Sequence, residues 1–151
     1  MRIYIGADHR GVGFKSKIIN ILKSLRLDVV DMGTHDPEKS CDYPKIAYQV
    51  SSRVASSKNK ARGILVCMSG IGQAMAANKV RGAYAALCYN AEATKLSRQH
   101  NNANILVLSA KFTNPKQLKA IIKNFVETKF EGGRHQRRVN QIKKIEKGQK
   151  L

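Results

Sequence analysis

Long apolar runs are missing from this sequence, although 42% of its 151 residues are hydrophobic. No stretch approaches the roughly 18 to 20 apolar residues that a membrane-spanning helix requires, so no membrane partner is expected. The N-terminal segment MRIYIGADHRG has too short an apolar run for a signal peptide, and a charged turn interrupts it. The length suits one compact domain, and we expect residues 1–151 to form a single domain in the cytoplasm.

Closely spaced cysteines are also missing. Cys41, Cys67 and Cys88 are an odd number of thiols without CxxC spacing. This pattern indicates neither a disulfide framework nor a zinc site. A reducing compartment is its simplest explanation, and no metal is expected.

Acidic residues are scarce, because ten Asp and Glu stand against 28 Lys and Arg, which gives a net charge of +18. Such a charge is typical of proteins that bind nucleic acids. The lysines are scattered, however, and basic residues do not alternate with aromatic ones as stacking on bases requires. We therefore favour a solvated basic surface over a nucleic-acid partner, with some of the charge available to an anionic small substrate.

Short apolar runs alternate with helical patterns along the chain. Five runs predict strands, at residues 2–6, 28–33, 63–67, 83–88 and 104–109. Apolar residues at helical spacing predict helices between them. Asn114 and Pro115 are suited to cap and begin one helix, and a mostly polar last helix is predicted at about 135–147. This alternation predicts an α/β fold in which a parallel sheet lies between two layers of helices.

The carboxyl ends of parallel strands are where such sheets bind their ligands, and this rule draws attention to Asp8, His9 and Cys67. The segment GILVCMSGIGQ places Cys67 at the end of a strand, before a turn of small residues. Backbone N–H groups in that turn could stabilise an anion and would lower the pKa of the thiol. No Asp or Glu occurs from Tyr43 to Ala91, so no carboxylate from this stretch can act as a base.

Two further groups carry chemistry that suits an anionic substrate. His100 and Asn101 precede the fifth predicted strand, and an imidazole there can move protons near pH 7. Arg134 and Arg138 are four residues apart and lie on one face of the predicted last helix. Arginine pairs of this kind can grip phosphate through several N–H groups.

At these positions the sequence resembles the ribose-5-phosphate isomerase B family. The segments that carry the resemblance lie in the family's order and spacing from Arg2 to about Ile145: GADHRG, DYP, GILVCMSGIG, AANKVRG, LSRQHNNANIL and EGGRHQRRV. The resemblance implies a three-layer Rossmann-like fold with five parallel strands, in a homodimer or homotetramer. It further implies active sites between subunits, with a C-terminal helix at about 130–147 that crosses to the partner. No metal or organic cofactor is implied.

The resemblance also implies an activity and a role for each site residue. The reaction interconverts D-ribose 5-phosphate and D-ribulose 5-phosphate through a cis-enediolate, in the non-oxidative pentose phosphate pathway. Cys67 is the base at C2, and His100 opens the sugar ring. The oxyanion is stabilised by Ser69 and the backbone of Gly70, Ile71 and Gly72. The remaining positions that bind substrate in the family correspond to Asp8, His9, Tyr43, Asn101, Lys111, Arg134 and Arg138.

Two positions depart from the family's pattern. Some members use a glutamate as the base where this chain has Gln73, which cannot serve, so the resemblance assigns that role to Cys67. Lys111 stands where an arginine often holds phosphate, and lysine keeps the charge but loses the planar fork.

Two alternative functions stay open at the level of sequence. The first is an isomerase of a six-carbon sugar phosphate, such as allose 6-phosphate or galactose 6-phosphate, since the wider family includes these enzymes. The second is a basic nucleotide- or nucleic-acid-binding Rossmann-like module, which the charge favours. Such a module would have no use for Cys67 and His100.

Overall fold

The structure, a computed structural model that describes residues 1–151, is a three-layer α/β fold with one five-stranded sheet. The strands are β1 (Arg2–Ala7), β2 (Asp28–Asp31), β3 (Ala61–Cys67), β4 (Ala85–Leu87) and β5 (Ile105–Ser109). The helices are α1 (Val12–Ser24), α2 (Tyr43–Ser56), α3 (Ile71–Ala77), α4 (Ala91–Asn101), α5 (Leu118–Glu127) and α6 (Gly133–Glu146). The predicted fold class and the five predicted strands are confirmed.

The sheet is parallel throughout, with the strand order β2-β1-β3-β5-β4. The chain passes from β1 to β2 on one side and then returns to β3 on the other side of β1. This reversal places a crevice at the carboxyl ends of β1 and β3, where sheets of this kind bind ligands.

The two faces of β3 bury separate apolar cores. Ile64 and Val66 point into a cluster beneath α1 and α5, whereas Leu65 packs on the other face against α2. This alternation follows from the two-residue period of a strand. It also explains why the segment is almost wholly apolar, since a strand covered on both faces has no side exposed to water.

The helix boundaries differ slightly from the predicted ones. Asn114 does act as a cap, but its Oδ1 accepts from the backbone N–H of Lys116 within a 3₁₀ turn, Pro115–Gln117. The α-helical part therefore begins only at Leu118. No helix combines the length and the apolar content needed to cross a bilayer.

The last helix, α6, is partly packed against its own chain. His135 and Val139 are buried, and Glu146 accepts hydrogen bonds from the backbone N–H of Gly82 at 2.6 Å and from the hydroxyl of Tyr84 at 3.4 Å. Its other apolar residues, among them Ile145 at 59% exposure, face outward. The helix thus has one side on its own chain and another side free for further contacts.

Candidate active site

A thiol and a carboxylate meet at the crevice between β1 and β3. Cys67 ends β3 and Asp8 follows β1, and both side chains are buried. The Sγ–H of Cys67 donates to Oδ2 of Asp8 at 2.8 Å, while Oδ1 of Asp8 accepts from the backbone N–H of Gly11 at 3.0 Å. Since β1 and β3 pair along their whole length, the sheet itself sets this separation. The arrangement holds a proton donor and a proton acceptor in direct contact.

The pKa of the Cys67 thiol is raised, because burial penalises the thiolate and the nearby Asp8 carboxylate accepts its proton and repels its charge. Backbone N–H groups of Gly70 and Met68 point at the sulfur and oppose this shift. The expectation of a lowered thiol pKa was therefore wrong in its net direction. That expectation considered the turn after β3 but not the Asp8 carboxylate, which follows β1 and lies 59 residues earlier in the chain.

The turn after Cys67 depends on glycine at two positions. Gly70 has φ +81°, and a Cβ there would lie 2.6 Å from Cδ1 of Leu87. A Cβ on Gly72 would lie 2.5 Å from the Cζ atom of Tyr43, so the tyrosine ring lies directly on the turn. The backbone N–H of Ile71 donates to the Oγ of Ser69 at 3.3 Å. Only small residues allow this backbone to approach its neighbours so closely.

Several other candidate residues lie at the same carboxyl edge. Nδ1 of His9 accepts from the backbone N–H of Cys41 at 3.4 Å, which fixes the loop between β2 and α2 beside β1. Lys111 is exposed, with its Nζ 5.4 Å from the centre of the Phe112 ring, and its backbone N–H donates to the carbonyl of Met68. The edge thus gathers nine of the candidate residues: Asp8, His9, Tyr43, Cys67, Ser69, Gly70, Ile71, Gly72 and Lys111.

Gln73, where some family members have a glutamate, is fully buried in α3. Neither its amide nitrogen nor its amide oxygen forms a hydrogen bond within the chain. As an uncharged amide it takes no proton, so it cannot replace Cys67 as a base.

The remaining candidates lie on the side of the sheet where the strands begin, which we call the amino edge. They are His100, Asn101, Arg134 and Arg138. Helix α4 runs back from the carboxyl edge and ends beside the start of β5. There the carbonyl of Asn104 accepts a hydrogen bond from the backbone N–H of Gly63 in β3. From Gly63 to Cys67 the strand rises four residues, about 13 Å. A single chain therefore does not bring the thiol and His100 together.

The amino edge contains a compact group that sequence reasoning missed. The rings of His100 and His135 are stacked, with centroids 4.1 Å apart and planes within 5°. Oε2 of Glu131 lies 3.8 Å from Nε2 of His100 and 3.6 Å from Nε2 of His135. The segment EGGRH carried a usable signal, because the Glu131–His135 spacing of four residues places both side chains beside each other at the start of a helix.

The pKa of His135 is lowered. Burial is the largest cause, and the charges of His100 and Arg134 add to it, while Glu131 opposes the shift. Stacked imidazoles resist carrying two positive charges, which is consistent with this direction. The Arg134 and Arg138 side chains themselves are exposed. The phosphate-binding candidates are thus accessible from outside the chain.

Two cavities of the chain lie away from both groups. Each has a volume of about 530 Å³; one is lined by Arg62, Arg98 and Lys143 at the amino edge, and the other by Tyr48 and Val80 among others. Neither is lined by Cys67 or His100. These two cavities of the single chain therefore do not coincide with the candidate catalytic residues.

This combination of a doubly wound parallel sheet and a buried thiol–carboxylate pair at its switch point defines a Rossmann-like α/β protein whose ligand crevice contains a thiol and a carboxylate. Residues 3–142 match the family model described as Ribose/Galactose Isomerase, and the chain belongs to that family. It is 42% identical over 145 residues to the probable ribose-5-phosphate isomerase B of Mycoplasma genitalium, covering 96% of this chain and 95% of that protein.

Solved structures agree with this assignment. Ribose-5-phosphate isomerase B of Clostridium thermocellum superposes with a TM-score of 0.93 at 41% identity, over 98% of this chain and 99% of the other. The enzyme of Mycoplasma genitalium with bound ribulose-5-phosphate superposes with a TM-score of 0.92 at 42% identity, over 97% of this chain and 96% of the other. The similarity therefore extends over nearly the whole of each chain.

Proposed function

We propose that this protein is an aldose–ketose isomerase that interconverts D-ribose 5-phosphate and D-ribulose 5-phosphate through a cis-enediolate. The observation that carries the proposal is the contact between the Cys67 thiol and the Asp8 carboxylate at the crevice between β1 and β3. A similar protein with bound ribulose-5-phosphate supports the choice of substrate. Membership in an isomerase family also argues against the alternative of a nucleic-acid-binding module.

The reaction needs a base that takes the proton from C2 and returns it at C1. Cys67 performs this step as the thiolate, after its own proton has passed to Oδ2 of Asp8 along the existing 2.8 Å contact. The thiolate accepts the C2 proton, and the electron pair of the C2–H bond moves to form the enediolate. The hydroxyl proton of O2 then passes to O1 and the proton on sulfur passes to C1, so that C2 becomes the carbonyl carbon. The thiolate–carboxylic acid pair is left as it was before the transfer.

Negative charge develops on O1 of the sugar during this transfer. The turn after β3 supplies the groups that stabilise it: the Ser69 hydroxyl and the backbone of Gly70, Ile71 and Gly72. Support comes from the N–H groups of Gly70 and Met68, which already face the sulfur atom where charge first appears. Donors fixed in place before the reaction stabilise such charge without reorganisation.

Ring opening and phosphate binding require the residues of the amino edge. In this proposal His100 opens the furanose, Asn101 contacts the sugar, and Arg134 and Arg138 hold the phosphate. At the carboxyl edge, His9 and Tyr43 contact the sugar and Lys111 contributes charge near the phosphate.

A second copy of the chain supplies the amino-edge residues to the thiol of the first. This arrangement follows from the separation of the two edges, about 13 Å along β3, which is too far for one sugar carbon chain to meet both at hydrogen-bonding distance. The outward side of α6, with Ile145 exposed, offers apolar surface for the partner. We accordingly propose a homodimer or homotetramer in which α6 contacts the neighbouring subunit.

A reducing cytoplasm is the proposed location of the enzyme. All three cysteines are free thiols, and Cys67 must stay reduced to act as a base.

A coupled assay that compares ribose 5-phosphate with allose 6-phosphate and galactose 6-phosphate tests the function. We expect the highest kcat/KM with ribose 5-phosphate. A preference for a six-carbon substrate would keep the chemistry and overturn the substrate assignment. No activity on any of the three, from protein shown to be folded, would overturn the function itself.

A further inference from the structure

Three potential metal ligands converge at the amino edge of the sheet. These are the imidazoles of His100 and His135 and the carboxylate of Glu131, whose ligand atoms all lie within 4.8 Å of one another. His100 lies at the end of α4, Glu131 precedes α6, and His135 lies in the first turn of α6. The convergence therefore joins two neighbours four residues apart to a third ligand from a separate helix.

The backbone holds the three side chains in this arrangement. The N–H of Glu131 donates to the carbonyl of Gln99 at 3.0 Å, which ties the start of the last segment to the end of α4. The His135 side chain is 8% exposed, so its ring is confined by packing. In the single chain the side chains of His100 and Glu131 are 37% and 47% exposed, so the chain itself does not cover these ligand atoms.

The ligand set is one that zinc uses when it keeps an open coordination position, two histidines and one carboxylate. Zinc–ligand distances of about 2.0–2.2 Å in a tetrahedral site place the ligand atoms about 3.3–3.5 Å apart. The observed separations between Oε2 of Glu131 and the two Nε2 atoms are 3.6 and 3.8 Å. A closing movement of a few tenths of an ångström brings each of these two carboxylate–imidazole pairs to such a distance. The two imidazole nitrogens lie within 4.8 Å of each other, and a tilt of the stacked rings brings them closer.

We propose that His100, Glu131 and His135 form a binding site for one divalent transition-metal ion, with Zn²⁺ as its best-suited occupant, and that the bound ion inhibits the isomerase. The inhibition rests on the proposed function, because a metal-bound His100 cannot open the sugar ring. The binding does not depend on that function. The reaction itself makes no use of the ion.

Neighbouring charges set the strength of this site. Arg134 and Arg138 are on the same segment as two of the ligands and weaken cation binding. The C-terminal end of α4, where His100 lies, favours positive charge and acts in the opposite direction. We therefore expect reversible binding that a chelator removes, rather than a permanently held structural ion.

The Cys67 thiol is another group that could bind zinc. The experiment must therefore distinguish binding at Cys67 from binding at His100, Glu131 and His135. Purified metal-free protein is titrated with Zn²⁺ by calorimetry and with Co²⁺ by absorption spectroscopy. The variants are His135→Gln, Glu131→Gln and Cys67→Ala. The matched control is His35→Gln, because His35 pairs with the single carboxylate of Asp31 at 3.5 Å and has no third ligand.

The expected result is one ion per chain in wild type, in Cys67→Ala and in His35→Gln, without a thiolate-to-cobalt charge-transfer band. His135→Gln and Glu131→Gln should weaken binding at least tenfold. Glu131 is exposed, so its variant tests the site even if the buried His135 variant fails to fold. Unchanged affinity in Glu131→Gln, or loss of binding in Cys67→Ala alone, would overturn the metal site.

Inhibition is measured separately, as each variant's rate with Zn²⁺ divided by its own rate with EDTA. Wild type and His35→Gln should be inhibited in proportion to occupancy and recover fully with EDTA, whereas Glu131→Gln should keep its metal-free rate. Binding without inhibition would overturn the inhibitory role. If wild type shows no isomerase activity even with EDTA, the proposed function fails, and the titration still decides the metal site.

Discussion

Cys67 is the residue on which the proposed chemistry depends, and its surroundings make it an unusual base. Its thiol is protonated at rest, because burial and Asp8 raise its pKa. The same carboxylate that holds the proton is placed to remove it when substrate arrives. Activation of the base is therefore a property of the pair rather than of the sulfur alone.

Cys67→Ala should reduce kcat by about 10² to 10⁴, the usual contribution of general-base catalysis. Substrate should still bind, because the phosphate-binding groups lie elsewhere. Steady-state kinetics and direct binding measurements separate these two effects. Cys41→Ser changes a half-buried thiol in a residue that contacts His9 through its backbone N–H, and it should keep the wild-type rate. Turnover near wild type in Cys67→Ala would remove the thiol from the mechanism.

The stability of the fold should decrease at alkaline pH because of two buried thiols, Cys67 and Cys88. Burial raises the pKa of both Cys67 and Cys88, so the folded chain keeps their protons to higher pH than the unfolded chain. Their contribution to stability is complete below the ordinary thiol pKa of about 8.5 and is lost as pH rises through the raised values.

The measurement is the thermal midpoint at several pH values between about 7 and 9.5, a range that spans the ordinary thiol pKa. Wild type should lose stability over this range. Cys88→Ala should start lower, because it leaves a cavity, and then decline less steeply. Cys41→Ser controls for the loss of a thiol as such. An equal decline in wild type and Cys88→Ala would contradict the raised pKa of Cys88.

At the level of elements, the turn between β3 and α3 is the most constrained connection of the candidate site. Gly70→Ala forces a side chain into a left-handed backbone conformation and against Leu87. We expect a loss of about 1–3 kcal/mol in the free energy of unfolding, together with a lower isomerase rate.

Gly13→Ala is the matched control for this substitution. Gly13 lies inside α1, and a Cβ there meets nothing within 4 Å. Alanine should stabilise the helix by about 0.5–1 kcal/mol and leave activity unchanged. Chemical denaturation of both variants measures the difference. If the two substitutions change stability equally, the strain assigned to Gly70 is absent.

The order of elements and the position of Cys67 at a strand end could be predicted from sequence, because local apolar periodicity determines both. The contact between Cys67 and Asp8 could not, since it depends on the register of two strands far apart in the chain. His100 illustrates a different limit. Its position before β5 could be predicted from the local sequence. The edge of the sheet on which it lies depends on the direction of α4, which is known only once the helices are packed on the sheet.

For the whole molecule, the two edges of the sheet divide the proposed chemistry between two copies of the chain. Mixing Cys67→Ala with the double variant Arg134→Ala/Arg138→Ala tests this division. Each protein alone should show at most a small fraction of the wild-type rate. In a hybrid dimer one site combines an intact thiol with intact arginines from the other chain, so activity should return toward half of wild type.

Subunit exchange in the mixture must be verified independently, for example with differently labelled chains. If exchange occurs and no activity returns, the thiol and the arginines act within one chain, and the shared site is wrong. The activity of each variant alone, at the same total protein concentration, provides the baseline.

The protonated state of Cys67 also bears on how the enzyme could be targeted by covalent drugs. Electrophilic reagents attack thiolates and react slowly with a thiol whose proton is held by a neighbouring carboxylate. A general alkylating agent should therefore modify the resting enzyme poorly, and oxidants should spare this sulfur for the same reason. An electrophile attached to a sugar phosphate would instead bind as the substrate does, when Cys67 transfers its proton to Asp8. Selectivity would then come from the sugar-phosphate part of the molecule and not from the reactive group.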